Sequence, residues 1–240
     1  MDTLFWTTLN PNTKIESSVK KYFNTHLYKL VVDCPAGRLI DTKGSLREAL
    51  ATRATIEENR KIMFSWVPHT SKNLAEADIK QIDRLRTLKK DKVPEIRVRV
   101  EEPRIQIYAT TEAALQNVVK QYFDASDYQR IELISGPADN NAATILNSGA
   151  IIKKSSFGYR YKIILRDGRY DSQVKQNMLN YLMGIGDEHV HLPASTKYTL
   201  GNNGDYMWGI YFYSNDLSFN SFLEIICPGA ILNCHELVVL

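Results

Sequence analysis

The sequence contains only three cysteines, Cys34, Cys227 and Cys234, and no two of them form a Cys-x-x-Cys pair. This spacing excludes the zinc and redox motifs that are built from such pairs. An odd number of cysteines in a chain of 240 residues favours reduced thiols. We therefore expect a cytoplasmic protein.

Long apolar runs are also missing. No apolar stretch approaches about 18 residues, so we expect no membrane-spanning helix and no membrane partner. The first stretch, MDTLFWTTLNPNTK, has no basic region followed by an apolar run, and we expect no signal peptide. With 44% hydrophobic and 24% charged residues, the composition is that of a globular protein with one or two domains.

Charge of one sign is not in large excess. The formal net charge is +3, which is too small to predict a nucleic-acid partner by itself. An electrostatic argument for such a partner must therefore depend on local clusters of basic side chains. The GxxxxGK[ST] phosphate loop and the GxSxG nucleophile motif are absent as well. We expect no cofactor, and a protein without enzymatic activity is the favoured interpretation.

What the sequence does contain is an internal repeat. The stretch YKLVVDCPAGRLIDTKGSLREAL from Tyr28 is similar to YKIILRDGRYDSQVKQNMLNYL from Tyr161. Each begins with Tyr-Lys and an apolar run, turns at Gly-Arg, passes an aspartate and continues in a helical pattern. A second pair follows downstream, RIQIYATTEAALQNVV from Arg104 and GIYFYSNDLSFNSFLE from Gly209. Each of these predicts a short strand that ends in tyrosine, a polar helix cap and a helix.

The repeat predicts an α+β protein with two similar halves. In each half the predicted order is strand, helix, strand, strand, helix, strand. This order predicts tandem ferredoxin-like (βαββαβ) halves, each an antiparallel sheet with its helices on one face. The stretch GPADNN from Gly136 is the strongest break, so we place the domains at residues 1–137 and 138–240. The first half carries an additional predicted helix from Asn73 to Lys90.

Local patterns give further predictions. Two helices are predicted, a short one at Ile15–Phe23 and a longer one at Leu46–Phe64. Two strands are predicted as well, an interrupted one at His189–Leu200 and a continuous one at Tyr206–Tyr213. Ser45 is predicted to cap the helix that begins at Leu46, because it has the capping-box spacing to Glu48. Asn215 or Asp216 is predicted to cap the last helix.

Basic and aromatic side chains are predicted on the sheet faces that carry no helix. In Glu95–Val100, apolar residues alternate with arginines, which predicts one buried and one exposed face. Arginines contact phosphates, and aromatic rings stack on bases for about 1–3 kcal/mol each. The residues predicted to bind nucleic acid are Arg97, Arg99, Arg104, Tyr108, Tyr211, Tyr213, Lys89 and Lys90. The last two belong to the charged helix, for which a solvated helix face is the favoured interpretation and a phosphate-tracking surface is the functional alternative.

The stretch GIYFYS, Gly209–Ser214, resembles the aromatic strand of RNA-recognition domains, without that motif's second glycine and leading basic residue. This resemblance implies RNA as the ligand. The favoured function is therefore the binding of single-stranded nucleic acid, with RNA preferred. The alternative is an assembly or adaptor protein whose sheet faces contact a protein partner or a second copy in a homo-oligomer. In that case the arginines would pair with Glu101, Glu102 or Glu132.

The segment His189-Val190-His191 carries a second alternative. Two histidines at alternating strand positions point the same way and can bind one divalent metal, with Asp187 or Glu188 as a carboxylate ligand. The pattern resembles the metal motif of rolling-circle nucleases and relaxases, which implies a metal-dependent nuclease with a nucleophilic tyrosine on a following helix. The predicted helix Asn215–Ile226 contains no tyrosine. We therefore expect that this nuclease site does not assemble.

Overall fold

The structure is a computed structural model that describes residues 1–35, 37–51, 75–101, 103–155 and 158–240. The chain is mixed α+β and divides into two compact units, Met1–Ala143 (unit 1) and Thr144–Leu240 (unit 2). Each unit contains one five-stranded sheet. The predicted boundary after residue 137 lies a few residues before this division.

Unit 1 builds its sheet in the order β1-β5-β2-β4-β3. Strand β1 is parallel to β5, and every other neighbouring pair is antiparallel. Its elements are α1 (Thr3–Leu9), β1 (Lys14–Ser17), β2 (Tyr28–Asp33), a 3-10 helix (Gly37–Asp41), α2 (described over 46–51), α3 (Glu76–Asp91), β3 (Ile96–Glu101), β4 (Arg104–Ala109), α4 (Glu112–Tyr122), α5 (Ala125–Tyr128) and β5 (Ile131–Gly136).

Unit 2 builds its sheet in the order β6-β12-β7-β11-β9, again with one parallel pair, β6 with β12. Strands β8 and β10 form a separate two-stranded ribbon. The elements are α6 (Asn140–Asn147, which crosses the division), β6 (Ile151–Lys153), β7 (Tyr161–Leu165), β8 (Gly168–Arg169), α7 (Ser172–Ile185), β9 (Val190–His191), α8 (Ala194–Gly201), β10 (Tyr206–Met207), β11 (Tyr211–Ser214), α9 (Phe219–Ile226) and β12 (Ile231–Val239).

The two five-stranded sheets have the same strand order. Strands β2 and β7 are central, and β4 and β11 lie beside them in corresponding places. Both units also begin with a helix and a strand that the sequence repeat did not include, α1 with β1 and α6 with β6. In each unit that first strand runs parallel to the last strand of the sheet. The structural repeat is therefore longer than the repeat in the sequence.

Each core lies between one face of the sheet and the helices. In unit 1, Leu30, Ile105 and Ile107 pack against buried side chains of α3 and α4. In unit 2, Ile163 and Phe212 pack against side chains of α7 and α9. Because successive strand residues point to opposite faces, their neighbours along each strand face away from the helices. The predicted parity of β4 and β11 agrees with this burial.

Two predictions for the N-terminal part changed in the structure. The predicted helix at Ile15–Phe23 is wrong: Ile15 pairs with Ile134 in the parallel β1–β5 ladder. Long-range pairing outweighs helix propensity at this place. At α2 the capping box is present, since the Glu48 amide donates to Ser45 Oγ at 3.2 Å. The remainder of the predicted helix, residues 52–64, lies outside the described residues.

Two predicted strands of unit 2 are also interrupted. In the segment predicted as His189–Leu200, only Val190 and His191 form a strand, and Pro193 is the N-cap of α8. A proline at a helix start removes no helical hydrogen bond, which explains the change. The predicted strand Tyr206–Tyr213 divides at Gly209, whose φ of 64° breaks the extended backbone.

Among the described residues, no helix is long and apolar enough to cross a membrane.

The last helix begins later than predicted. Its N-cap is Ser218, whose side chain makes no capping hydrogen bond. The predicted cap Asp216 instead accepts a hydrogen bond from the Ser218 amide at 2.8 Å.

Candidate nucleic-acid interface

One row of side chains crosses four strands of the unit 2 sheet. Backbone pairing places His191 on β9 beside Tyr213 on β11, then Lys162 on β7 and His235 on β12. We call these four residues the unit 2 row. Since Ile163 and Phe212 point to the core, the alternation of the strands puts the row on the opposite face. The row therefore combines an aromatic, a cationic and two imidazole side chains on one surface.

The aromatic rings on this face contact one another. The ring centroids of Tyr211 and Tyr213 are 5.5 Å apart at an interplanar angle of 84°. His191 lies 6.1 Å from Tyr213 and 5.6 Å from Tyr159, centroid to centroid. These distances are typical of favourable aromatic pairs. The four residues are half-buried, and their rings form one aromatic cluster on this face.

Two lysines lie over these rings. Lys162 Nζ is 3.8 Å from the ring centroid of Tyr211, and Lys153 Nζ is 6.0 Å from that of Tyr213. Both distances allow cation–π attraction. Burial, and secondarily Tyr211, raises the pKa of Tyr213. The Tyr213 phenol therefore stays neutral near pH 7 and can donate a hydrogen bond. Cations beside flat, neutral rings suit a polyanion that carries aromatic bases.

Unit 1 contains a matching row. Arg97 on β3, Tyr108 on β4, Lys29 on β2 and Ser135 on β5 are paired across its sheet. We call these residues the unit 1 row. The repeated Tyr-Lys dipeptide puts Lys29 in the place of Lys162, and Tyr108 takes the place of Tyr213. Tyr108 is only 4% exposed, however. The expectation that its ring lies on an accessible surface is therefore wrong.

The ring of Tyr108 is covered by the chain itself. The segment between β1 and β2, residues 18–27, folds over the unit 1 row, and we call it the β1–β2 connection. The rings of Tyr22 and Phe23 lie 5.3 and 4.9 Å from that of Tyr108. His26 lies 6.4 Å from the same ring. The connection explains why strand alternation, which predicts an exposed ring, did not predict the burial of Tyr108.

The three arginines predicted to contact phosphate are each engaged within the chain. Arg99 pairs with Glu101 at 2.8 Å, and Arg104 pairs with Glu132 at 2.5 Å. Arg97 lies over the ring of Phe23, 3.7 Å from its centroid. Glu101 and Glu132 are thus arginine partners, as the alternative interpretation expects, and Glu102 lies outside the described residues. Positive charge on the unit 1 sheet is therefore largely balanced where Arg99 and Arg104 lie.

The two lysines predicted on the charged helix, Lys89 and Lys90, lie on α3 and not on a strand of the unit 1 sheet. Lys89 contacts the Asp41 carboxylate, and Lys90 is exposed near the C-terminus of α3. A cation at that end interacts favourably with the helix dipole. Arg84, on the same helix, pairs with Asp124 and with the buried Asp127. These contacts favour the interpretation of α3 as an ion-paired surface helix.

The two histidines of the metal hypothesis have different surroundings. His191 belongs to the unit 2 row, whereas His189 lies in the turn before β9, with its ring 6.1 Å from Phe219. His189 Nε2 is 3.9 Å from a Glu188 carboxylate oxygen. In the part of the chain that the structure describes, no group of three His, Cys, Asp or Glu residues could hold a metal ion. His191 is thus better accounted for by its aromatic neighbours.

Sequence reasoning missed Lys162, Lys29 and Tyr159. The repeated Tyr-Lys dipeptide contains both lysines, at Lys29 and Lys162. Because Ile163 and Leu30 point to the core, strand parity puts these lysines on the same face as the tyrosines.

Comparisons with protein-family models, curated proteins and solved structures give no match for this chain.

The surroundings of His26 predict how the stability of the fold depends on pH. Burial first, and the charge of Arg97 further, lower the pKa of His26, while a hydrogen bond with the Tyr22 backbone opposes them. A histidine whose pKa is lower when folded stabilises the fold above about pH 6.5, and this contribution is lost as pH falls through the folded pKa. We expect an NMR titration of the His26 ring to show a pKa below 6.5. A His26→Gln variant should lose this part of the pH dependence of unfolding, and a measured pKa of 6.5 or higher would contradict the assignment.

Proposed function

We propose that the protein binds single-stranded RNA, without enzymatic activity, on the unit 2 row and its neighbours Tyr211 and Lys153. The observation that carries the proposal is the placement of Lys162 and Lys153 over the rings of Tyr211 and Tyr213. A single strand needs ring faces for its bases and cations for its phosphates. Both are supplied here by adjacent strands of one sheet, on the face opposite the core.

We also propose that both units are ferredoxin-like domains, each extended by a helix and a parallel edge strand. The support is the strand order. Without β1 and β6, the two sheets have the orders β5-β2-β4-β3 and β12-β7-β11-β9, with antiparallel neighbours throughout. In each, the helices between the strands pack on one face. The other face carries the unit 2 row in one unit, and in the other it carries the unit 1 row beneath the β1–β2 connection.

The chemistry of the face favours RNA over a protein partner. Tyrosine hydroxyl groups can donate to or accept from a ribose 2′-OH, which DNA lacks, and those of Tyr211 and Tyr213 lie together on this face. A protein interface of comparable size would instead be expected to have an apolar centre with few charged side chains. Lys162 lies at the middle of the unit 2 row, between Tyr213 and His235. A central cation is better matched by phosphate.

Replacing Tyr213 by alanine tests the stacking part of this proposal. One lost stacked base should weaken binding of a labelled single-stranded oligoribonucleotide by roughly 5- to 150-fold, which corresponds to about 1–3 kcal/mol. Fluorescence anisotropy at fixed salt measures the effect. Tyr198→Ala removes an exposed tyrosine from α8 and is the matched control. Equal affinity of the parent and the Tyr213→Ala variant would refute the proposal, and equal affinity for DNA of the same sequence would refute the preference for RNA.

Replacing Lys162 by alanine tests the phosphate contact. The slope of log affinity against log salt should become shallower by about 0.7, the value for one contact to a single strand. Lys197→Ala, an exposed lysine of α8, should leave the slope unchanged. A slope that is the same in all three proteins would show that Lys162 does not contact phosphate.

A further inference from the structure

We propose that unit 1 carries a second site for single-stranded RNA, on the unit 1 row, and that the β1–β2 connection occupies this site in the structure. The inference rests on the proposed function of the unit 2 row. It assigns a ligand to a surface that is buried under the chain's own aromatic side chains, and it predicts that RNA and the connection compete for that surface.

The first support is the correspondence of the two rows. Tyr108 and Lys29 are direct neighbours across β4 and β2, as Tyr213 and Lys162 are across β11 and β7. At the edge strand, Arg97 stands where unit 2 has His191. Unit 1 thus provides the same tyrosine and lysine as unit 2, and a permanently charged arginine in addition.

The second support is the way in which the connection is held. The rings of Tyr22 and Phe23 pack on Tyr108. The two cations of the row also contact these rings. Lys29 Nζ lies 5.3 Å from the Tyr22 centroid, and Arg97 Cζ lies 3.7 Å from the Phe23 centroid. Stacked bases held between a tyrosine and an arginine or lysine would make the same kinds of contact. The two rings therefore take the positions that bases would take.

The third support is the conformation of the connection. Phe23 and Asn24 have φ values of 51° and 60°, a region that is unusual for a bulky residue such as phenylalanine. Phe23 is 37% exposed although its ring packs on Tyr108. Tyr22 also forms one side-chain hydrogen bond, between its hydroxyl and Ser135 Oγ at 2.9 Å. The backbone of the connection is held at its two ends, where the Ser18 amide donates to the Gly136 carbonyl oxygen at 2.7 Å and the Leu27 amide donates to that of Ala109 at 3.1 Å. The turn between these ends contacts the row mainly through its rings, so another ring-bearing ligand can replace it there.

The test starts from the full chain with Tyr213→Ala and Lys162→Ala, which removes the unit 2 site. In this background, Tyr22→Ala with Phe23→Gly uncovers the unit 1 row, and glycine also suits the φ of residue 23. We expect this opened variant to bind a fluorescein-labelled oligouridylate of about 12 nucleotides at least about fivefold more tightly than the background. Adding Lys29→Ala and Arg97→Ala should abolish the gain. Phe222→Ala, which removes an exposed ring from α9, is the matched control and should give no gain.

Folding of each variant is checked by circular dichroism. If the opened variant does not fold, Phe23→Asn serves instead, because asparagine tolerates positive φ and only one ring is lost. If either variant folds but binds the oligouridylate no more tightly than the Tyr213→Ala, Lys162→Ala protein, the proposal of a second site is wrong. This result is distinct from failure of the proposed function, which would appear as equal affinity of the parent and the Tyr213→Ala variant. With the unit 2 row intact, opening should raise the RNA bound per chain from one to two molecules.

Discussion

Replacing Trp6 by alanine is expected to lower the free energy of unfolding of unit 1 by about 3–5 kcal/mol. Trp6 is fully buried in the core of unit 1, and its Nε1 donates to a Glu112 carboxylate oxygen at 2.9 Å. The substitution leaves a cavity beside Phe5, whose ring packs edge-on at 4.9 Å. It also removes a hydrogen bond to a charged group, which is worth more than a neutral one.

Hydrogen exchange followed by mass spectrometry in increasing urea measures this effect, because it reports on peptides of unit 1 and unit 2 separately. Leu4→Ala is the matched control, since Leu4 lies in the same helix and is 77% exposed. Trp6→Phe should fall between the two. If unit 1 in the Trp6→Ala variant unfolds at the same urea concentration as in the parent, α1 is not part of its core.

The parts of the fold that follow from short-range patterns could be predicted from the sequence. Ile82, Leu85 and Leu88 are spaced for one helix face, and all three are buried. Ile105 and Ile107 alternate with polar residues, and both point into the core. These patterns depend only on the periods of helices and strands, which a sequence contains directly.

The parts that depend on distant partners could not be predicted in the same way. Strand β1 forms because Lys14–Ser17 pairs with β5, more than a hundred residues later in the chain. No local pattern distinguishes it from the start of an amphipathic helix. The segment after Pro193 is comparable: Thr196 in α8 donates to the Tyr211 carbonyl oxygen at 2.6 Å, a contact that fixes the helix from outside. Tertiary contacts decide the local structure in both cases.

In the candidate site too, some features follow from short-range patterns and others depend on distant parts of the chain. Strand parity placed Tyr211 and Tyr213 on the face opposite the core, where the structure has them. The same parity applies to Tyr108, and its ring is covered only because residues 18–27 return across the sheet. Parity determines the direction of a side chain, whereas exposure also depends on what else lies there. A sequence pattern contains the first kind of information and lacks the second.

Substitution of Lys175 is expected to have a large effect on the stability of unit 2, although no sequence pattern indicates this. Its position in α7 is that of an ordinary helical lysine, yet its side chain is completely buried. Nζ donates to the carbonyl oxygens of Thr199, Asn202 and Gly204 at 2.9, 2.8 and 2.5 Å, and to Asn202 Oδ1 at 2.8 Å. These oxygens belong to the end of α8 and the loop after it. The ammonium group therefore holds that loop onto α7.

Replacing Lys175 by methionine is expected to lower the free energy of unfolding of unit 2 by about 3–5 kcal/mol. Methionine fills a similar volume but supplies no donor, so the oxygens of Thr199, Asn202 and Gly204 lose their charged partner. A hydrogen bond to a charged group contributes about 1.5–3 kcal/mol. Arginine should not rescue the variant, because its planar guanidinium cannot direct three donors from one nitrogen. Hydrogen exchange in urea should show the loss in peptides of unit 2, and Lys197→Met, at an exposed site in α8, is the matched control. A Lys175→Met protein whose unit 2 unfolds within about 0.5 kcal/mol of the parent would show that these oxygens are satisfied without the lysine.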